Sequence, residues 1–272
     1  MGVDSVSGLH VVVCLKVVPK SEEVTINDET RTLDRSKARS EINGPDLNAL
    51  ETALELKEAH GGRISLLSMG PPFAEQYLRL GIAMGADAAF LMSDRAFGGA
   101  DTLATSLALA EGVRAIGPSD LVLCGEESSD GATGQVPQGI AEWLDVSQIT
   151  YATRLQVLPR KRLVRGRREL RGGSEVLESP LPCVVSLKVG INEPRFLDFE
   201  RLEWAMHEAP VTVWTAADLG LEPERLGLPG SATTVASVEM APTAERRREF
   251  LAGTPEEEAR QLLERIKQWI PA

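Results

Sequence analysis

The stretch Asp120-Leu-Val-Leu-Cys-Gly-Glu-Glu-Ser-Ser-Asp-Gly-Ala-Thr-Gly-Gln135 decides the fold. Residues 121–124 form an unbroken apolar run, as a strand covered on both faces of a parallel sheet requires. The run ends in a turn of small and polar residues, 128–135, and a helix signal begins at Val136. A strand that passes through such a turn into a helix leaves backbone N–H groups without intrahelical partners. The helix dipole adds partial positive charge behind them. The pattern predicts a phosphate site and therefore a bound nucleotide.

The same alternation runs outward in both directions. Residues 10–18 are β-branched and apolar, and a hairpin is expected over 25–33 around Asn27-Asp28-Glu29-Thr30. Pro45 and Asp46 open a helix that His60-Gly61-Gly62 closes. A strand over 63–68, a helix over 73–84, a strand over 88–92 and a helix over 101–116 follow, then the strand at 120–124 and a helix over 136–144. This βαβα order predicts a Rossmann-like, doubly wound, mostly parallel sheet with helices on both faces. In such sheets ligands sit beyond the carboxyl ends of the strands, where strand order reverses.

Beyond Ile149 the character changes. Arg160-Lys-Arg162 and residues 165–171 are basic with interleaved Leu and Val, which predicts an exposed hairpin inserted at 150–180. Residues 181–189 predict a buried strand, and Asn192-Glu-Pro-Arg195 an irregular, exposed loop. Residues 1–219 are therefore expected to form the nucleotide-binding domain. Residues 220–272, rich in Pro, Gly and Ala, predict an extended arm. It ends in a helix with Thr254 and Glu257 as a capping box, Pro255 at the first turn, and an apolar face of Ala259, Leu262, Leu263, Ile266, Trp269 and Ile270.

Composition excludes several classes. Of 272 residues 25% are charged, and the net charge of −11 lacks the footprint of a nucleic-acid binder. No apolar run approaches the roughly 20 residues that span a bilayer, and the first ten residues carry no Lys or Arg, unlike a secretory signal. Direct membrane insertion is not expected. Cys14, Cys124 and Cys183 are scattered in apolar runs, the pattern of reduced buried thiols in a cytoplasmic protein. No metal-ligand spacing appears.

The polar residues at the predicted strand ends are binders rather than acids or bases: Asn43, Asp46, Ser68, Asp101, Thr102, Asp130, Thr133 and Gln135. No nucleophile–base pair, Walker motif or Gly-x-Gly-x-x-Gly is present, so no catalytic residue is assigned and a bound cofactor must carry any redox step. Each candidate has a purely structural alternative. Asn43, Asp46 and Asp101 suit helix capping, and Asp130, Gly131 and Gly134 suit a tight turn.

In order and spacing these motifs resemble the beta subunit of electron transfer flavoproteins. The similarity is carried by Val13-Cys-Leu-Lys-Val-Val-Pro19, Asn43-Gly-Pro-Asp46 with its helix, Ala83-Met-Gly-Ala-Asp87, Asp130-Gly-Ala-Thr-Gly-Gln135, and Leu181-Pro with Asn192-Glu-Pro-Arg195. The resemblance implies a heterodimer with an alpha subunit, a flavin (FAD) shared with that subunit, and an arm that wraps it. It implies a nucleotide held by Cys14, Asn43, Gly44, Pro45, Asp46, Met69, Gly70, Asp101, Thr102, Asp130, Gly131, Ala132, Thr133, Gly134, Gln135 and Val136. It implies a partner-recognition loop over 186–200, centred on Ile191, Asn192, Glu193, Pro194 and Arg195, that docks acyl-CoA dehydrogenases or similar dehydrogenases, with Ile191 as an exposed anchor.

One branch of that family carries AMP as a structural filler in simple electron transfer. The other carries a second FAD that takes electrons from NADH and bifurcates them between acceptors such as ferredoxin, flavodoxin or a quinone reductase. The compact Asp130-Gly-Ala-Thr-Gly-Gln-Val136 turn and Phe97-Gly-Gly-Ala-Asp-Thr102 resemble the second branch. Gly44 and Ser128-Ser129 depart from the usual Pro and Ala-Ile. A different class, an ATP-binding stress-type module with no redox role, shares the core but leaves the arm and the 192–195 loop unexplained.

Overall fold

In the computed structural model, which describes residues 8–20, 25–27, 32–34, 39–236 and 248–270, the chain runs β1 (Leu9–Cys14), β2 (Val17–Pro19), β3 (Thr25–Asn27), β4 (Thr32–Asp34), β5 (Ser40–Ile42), α1 (Gly44–His60), β6 (Gly62–Met69), α2 (Glu75–Met84), β7 (Ala88–Met92), α3 (Thr102–Ile116), β8 (Leu121–Gly125), α4 (Val136–Leu144), β9 (Ser147–Leu158), β10 (Leu163–Leu170), β11 (Gly173–Pro180), β12 (Cys183–Leu187), α5 (Phe199–His207), β13 (Val211–Trp214) and α6 (Pro255–Lys267).

All six residues of β1 are buried, because helices cover both faces of its sheet. Leu9, Val11 and Val13 face a core built with Leu50 of α1, Leu78 and Ile82 of α2 and Ala205 of α5. Val12 and Cys14 face the other side, with Leu109 of α3 and Ile140 of α4. The period-2 alternation of a strand thus feeds two cores. The order across the sheet is β11-β10-β9-β12-β8-β1-β6-β7-β13. Strands from β9 through β13 in that order pair in parallel, and β10 and β11 pair antiparallel at one edge. From β1 the chain builds outward through β6 and β7, then returns to place β8 on the opposite side of β1. The reversal of strand order falls between β1 and β8.

Helix ends follow local chemistry. Asp101 caps α3 by accepting from the N–H groups of Leu103 and Ala104. Pro45 lies in the first turn of α1, and Gly61, at φ 68°, ends it.

Several expectations change. The 10–18 strand breaks after Cys14, because the Lys16 N–H turns away to the Asp46 carboxylate. Residues 160–162 lie in and beside a 3-10 turn over Pro159–Lys161 rather than in a strand. The hairpin expected over the basic segment is present as the antiparallel strands β9, β10 and β11, and it joins the main sheet through the parallel pair β9–β12. The hairpin expected over 25–33 is present as the pair β3–β4, and its turn residues lie outside the described ones. The strand α5–β13 region, 199–214, was not expected, and β13 adds a parallel strand beside β7.

The first compact unit is Met1–Val238 and the second Glu239–Ala272. Within the first unit, Leu226 is buried in the second core, and Thr233 bonds to Asp101. In the second unit, Thr254 and Glu257 make the expected capping box at the start of α6.

Candidate nucleotide site

The site is built where β1 and β8 part. Asp46, in the first turn of α1, is buried and bridges both strand ends. One carboxylate oxygen accepts the Lys16 N–H at 2.7 Å and the other the Gly125 N–H at 3.1 Å. Burial pushes its pKa up to about 7, against the pull of those N–H groups. Asn43, also buried, clamps the next loop. Its Oδ1 accepts from Ser129 N at 3.1 Å, and its Nδ2 donates to the Glu127 carbonyl at 2.9 Å.

Lys16 then reaches over the loop to Asp130 at 2.6 Å and to Ser128 Oγ at 3.1 Å. Ala132 (φ 46°) and Gly134 (φ 60°) both adopt left-handed backbone, a geometry that curls successive N–H groups into a concavity. At Gly134 a Cβ would stand 2.5 Å from the Tyr151 hydroxyl oxygen, so a side chain there must displace that hydroxyl. The Tyr151 hydroxyl donates to the Gly134 carbonyl at 3.3 Å. No side chain caps α4, and the N–H groups of Thr133, Gly134, Gln135 and Val136 make no backbone hydrogen bond among the described residues. At the carboxyl end of β6, Ser68 Oγ is buried without a partner.

The α3 N-terminus lies beside this loop, with Thr102 Oγ1 donating to Gln135 Oε1 at 3.2 Å. Burial pushes the Asp101 carboxyl up, but hydrogen bonds from Ala104 and Thr233 outweigh it and hold the group below its usual range. Ser231 Oγ accepts from Asp101 N at 2.8 Å.

The structure therefore brings Asn43, Gly44, Pro45, Asp46, Asp101, Thr102 and the 130–136 turn to one end of the sheet. The side-chain oxygens of Asn43, Asp46 and Asp101 are occupied by protein donors, so these residues position the loops that would touch a ligand. Cys14 is buried in the second core with Cys124. A hydrogen bond with Cys14, and then burial, raise the Cys124 thiol well above its usual range. Met69 and Gly70 are half-buried at the end of β6, where Gly70 N donates to the Met92 carbonyl at 3.0 Å. Lys16, Ser128, Tyr151 and Thr233 are not among the expected site residues. Lys16 had a signal, standing just past an apolar strand; Tyr151 and Thr233 had none, because tertiary pairing alone brings them in.

Ile191, Asn192, Glu193, Pro194 and Arg195 lie elsewhere, along α1. Ser186 and Leu187 belong to β12, and Asp198 caps α5, so the irregular segment is 188–197. Asn192 bonds to Asn48 and Thr52. Arg195 forks onto Glu51 at 2.8–3.0 Å and reaches Glu58 at 2.6 Å. Ile191 is half-buried against the first core rather than exposed. Apolar side chains that stand in solvent here include Val189, Phe196, 95% exposed, and Phe199, 78% exposed. Glu51 is only 7% exposed, so Arg195→Ala strands its carboxylate and should cost about 2–3 kcal/mol. A urea midpoint unchanged from wild type would remove this loop's anchor.

These residues fit a nucleotide: amides without backbone partners and a lysine gather at the strand-order reversal of an α/β sheet. Among the described residues no His/Cys/Asp/Glu group could hold a metal, and no helix is long and apolar enough to cross a membrane.

The family model described as the electron transfer flavoprotein domain matches residues 30–219. CarD, a subunit of the caffeyl-CoA reductase–Etf complex of Acetobacterium woodii, is 40% identical over 262 residues, 96% of this chain and 98% of that relative. Electron transfer flavoprotein subunit beta of Thermoanaerobacterium thermosaccharolyticum is 39% identical over 258 residues, 95% and 98% of the two chains. FixA of Azotobacter vinelandii is 40% identical over 262 residues, 94% and 92%. The chain belongs to the electron transfer flavoprotein family, among its beta subunits.

Proposed function

We propose that this chain works in the cytoplasm as the beta subunit of a heterodimeric electron transfer flavoprotein. In this reading one FAD is shared with the alpha subunit. The β1/β8 pocket holds a second FAD, which receives electrons from NADH for bifurcation. The observation that carries the dinucleotide is the Thr102–Gln135 hydrogen bond, 3.2 Å long. It places the N-termini of α3 and α4 side by side. A diphosphate can use two such ends, whereas the monophosphate of AMP needs one.

Bound flavin supplies the hydride and single-electron chemistry. The chain's residues bind and orient. Amides of 133–136 and the Lys16 ammonium receive phosphate oxygens. Asp46 and Asn43 hold the strand ends and the loop in place. Tyr151 props the turn at Gly134. The 188–197 segment docks a dehydrogenase, and α6 engages the alpha subunit.

The test is acid extraction of the purified heterodimer with chromatographic counting of what is released. The expected result is two FAD molecules and no AMP. One FAD with one AMP overturns the bifurcating reading and leaves simple transfer. A colourless homodimer that releases ATP overturns both.

A further inference from the structure

The edge of the sheet carries a cluster of cations that the nucleotide site does not use. In the β9–β10 register Arg154 stands directly opposite Arg167. Like charges across a strand pair repel, so this register holds a cost that other positions on the same strands avoid. Arg165 is answered across the sheet by Glu178, and Arg168 by Glu175. Arg167 instead meets Val176 on β11. Among the described residues neither Arg154 nor Arg167 has a carboxylate partner.

A third cation joins them. Leu187 of β12 pairs with Ala152 of β9, and Lys188 N donates to the Ala152 carbonyl at 3.0 Å. This sets Lys188 at the mouth of the same cleft, about 460 Å³ in volume, lined also by Val189, Ile191 and the single carboxylate Glu169. Three cations against one carboxylate form a basic island on a chain of net charge −11.

We propose that this cleft seats a carboxylate-bearing surface of a partner protein. Small-molecule sites are enclosed and use a few fixed polar groups. Here the cations are long, solvent-exposed side chains beside an exposed Val189, the composition of a protein interface, where arginine is enriched. An entering carboxylate offsets the repulsion between Arg154 and Arg167 that their register creates. On a surface of opposite overall sign, the island fixes the orientation of the encounter. The inference rests on reading 188–197 as a docking segment, because Lys188 to Ile191 form one wall of the cleft.

The test uses the full chain as purified with its accompanying subunit. A fluorescent hexaglutamate peptide is the probe, read by anisotropy at low and moderate salt. Arg154→Glu/Arg167→Glu should weaken binding at least ten-fold. The charge-matched control Arg165→Glu/Arg168→Glu should weaken it less than two-fold. Equal losses in the two variants, or none, overturn the proposal. So does tighter binding of pyrophosphate or of an oligothymidylate that the peptide fails to displace. As a fold-independent readout, the neutral Arg154→Gln/Arg167→Gln variant should melt no lower than wild type without peptide, and should lose the peptide-induced rise in Tm. A rise that persists in this variant overturns the assignment. Flavin is counted in the same samples. Wild-type binding with no flavin counts against the proposed function alone, and normal flavin with no selective binding counts against the cleft alone.

Discussion

Gly125→Ala is expected to lower stability by about 3 kcal/mol and to abolish nucleotide retention. The added Cβ would stand 2.5 Å from Asp46 Oδ1 and 2.6 Å from Pro45 Cβ, distances that no side-chain rotation relieves. Gly125 cannot retreat, because it is paired with Leu187 of β12 and donates to Asp46. Overpacking of this kind costs about 1–3 kcal/mol where the surroundings can give and more where they cannot. Here the backbone of α1 is what must move, and α1 carries Asn43 and Asp46 with it. Gly44→Ala is the control, since nothing lies within 4 Å of its Cβ position. Urea midpoints for both variants, with the nucleotide content of each preparation, check the prediction. A Gly125→Ala protein as stable as Gly44→Ala would refute the close approach of β8 and α1.

Asp46→Ala is expected to cost about 4 kcal/mol at pH 5. It leaves the Lys16 and Gly125 N–H groups without an acceptor, each a loss of about 1–3 kcal/mol. The cost should shrink as pH rises. Burial raises the Asp46 pKa from 3.8 to about 7, so between these values the folded chain keeps a proton that the unfolded chain releases. Stability from this group is fully present below pH 4 and is lost as pH climbs through 7. The variant has no such slope. Unfolding curves at pH 5 and pH 8 should therefore converge, and Asp46→Asn, which keeps one acceptor, should fall between the two proteins. A gap that widens toward pH 8 would reverse the sign assigned here.

The sheet centre was legible because its signals are local. A short apolar run bounded by turn signals, such as Leu121-Val-Leu-Cys124, reads as a doubly covered strand, and Asp101 and Gly117 mark the ends of α3 without help from elsewhere. What stayed hidden depends on distant partners. β13 is four residues long, with Val213 exposed, and is a strand because β7 offers it an edge. In α5 both Phe199 and Trp204 face solvent, which blurs the apolar stripe that would have revealed the helix. In the site, the residue types and their convergence could be read, but not their tasks. Asn43, Asp46 and Asp101 look like ligand binders from their chemistry, and only the folded chain shows that the Ser129, Lys16, Gly125 and Thr233 donors already reach their side-chain oxygens. Ile191 shows the same limit: an aliphatic residue in a polar loop reads as an exposed anchor until the helix beneath it is seen.

The helix over Pro255–Lys267 has a well-locked first turn and no buried side chain. Thirteen residues lie near the threshold at which an isolated segment in water hovers between coil and helix. Whatever covers Leu263, Ile266 and Trp269 therefore tips that balance. On the proposed reading, in which the alpha subunit covers that face, the folding free energy of α6 and the affinity of the complex form a single concentration-dependent quantity.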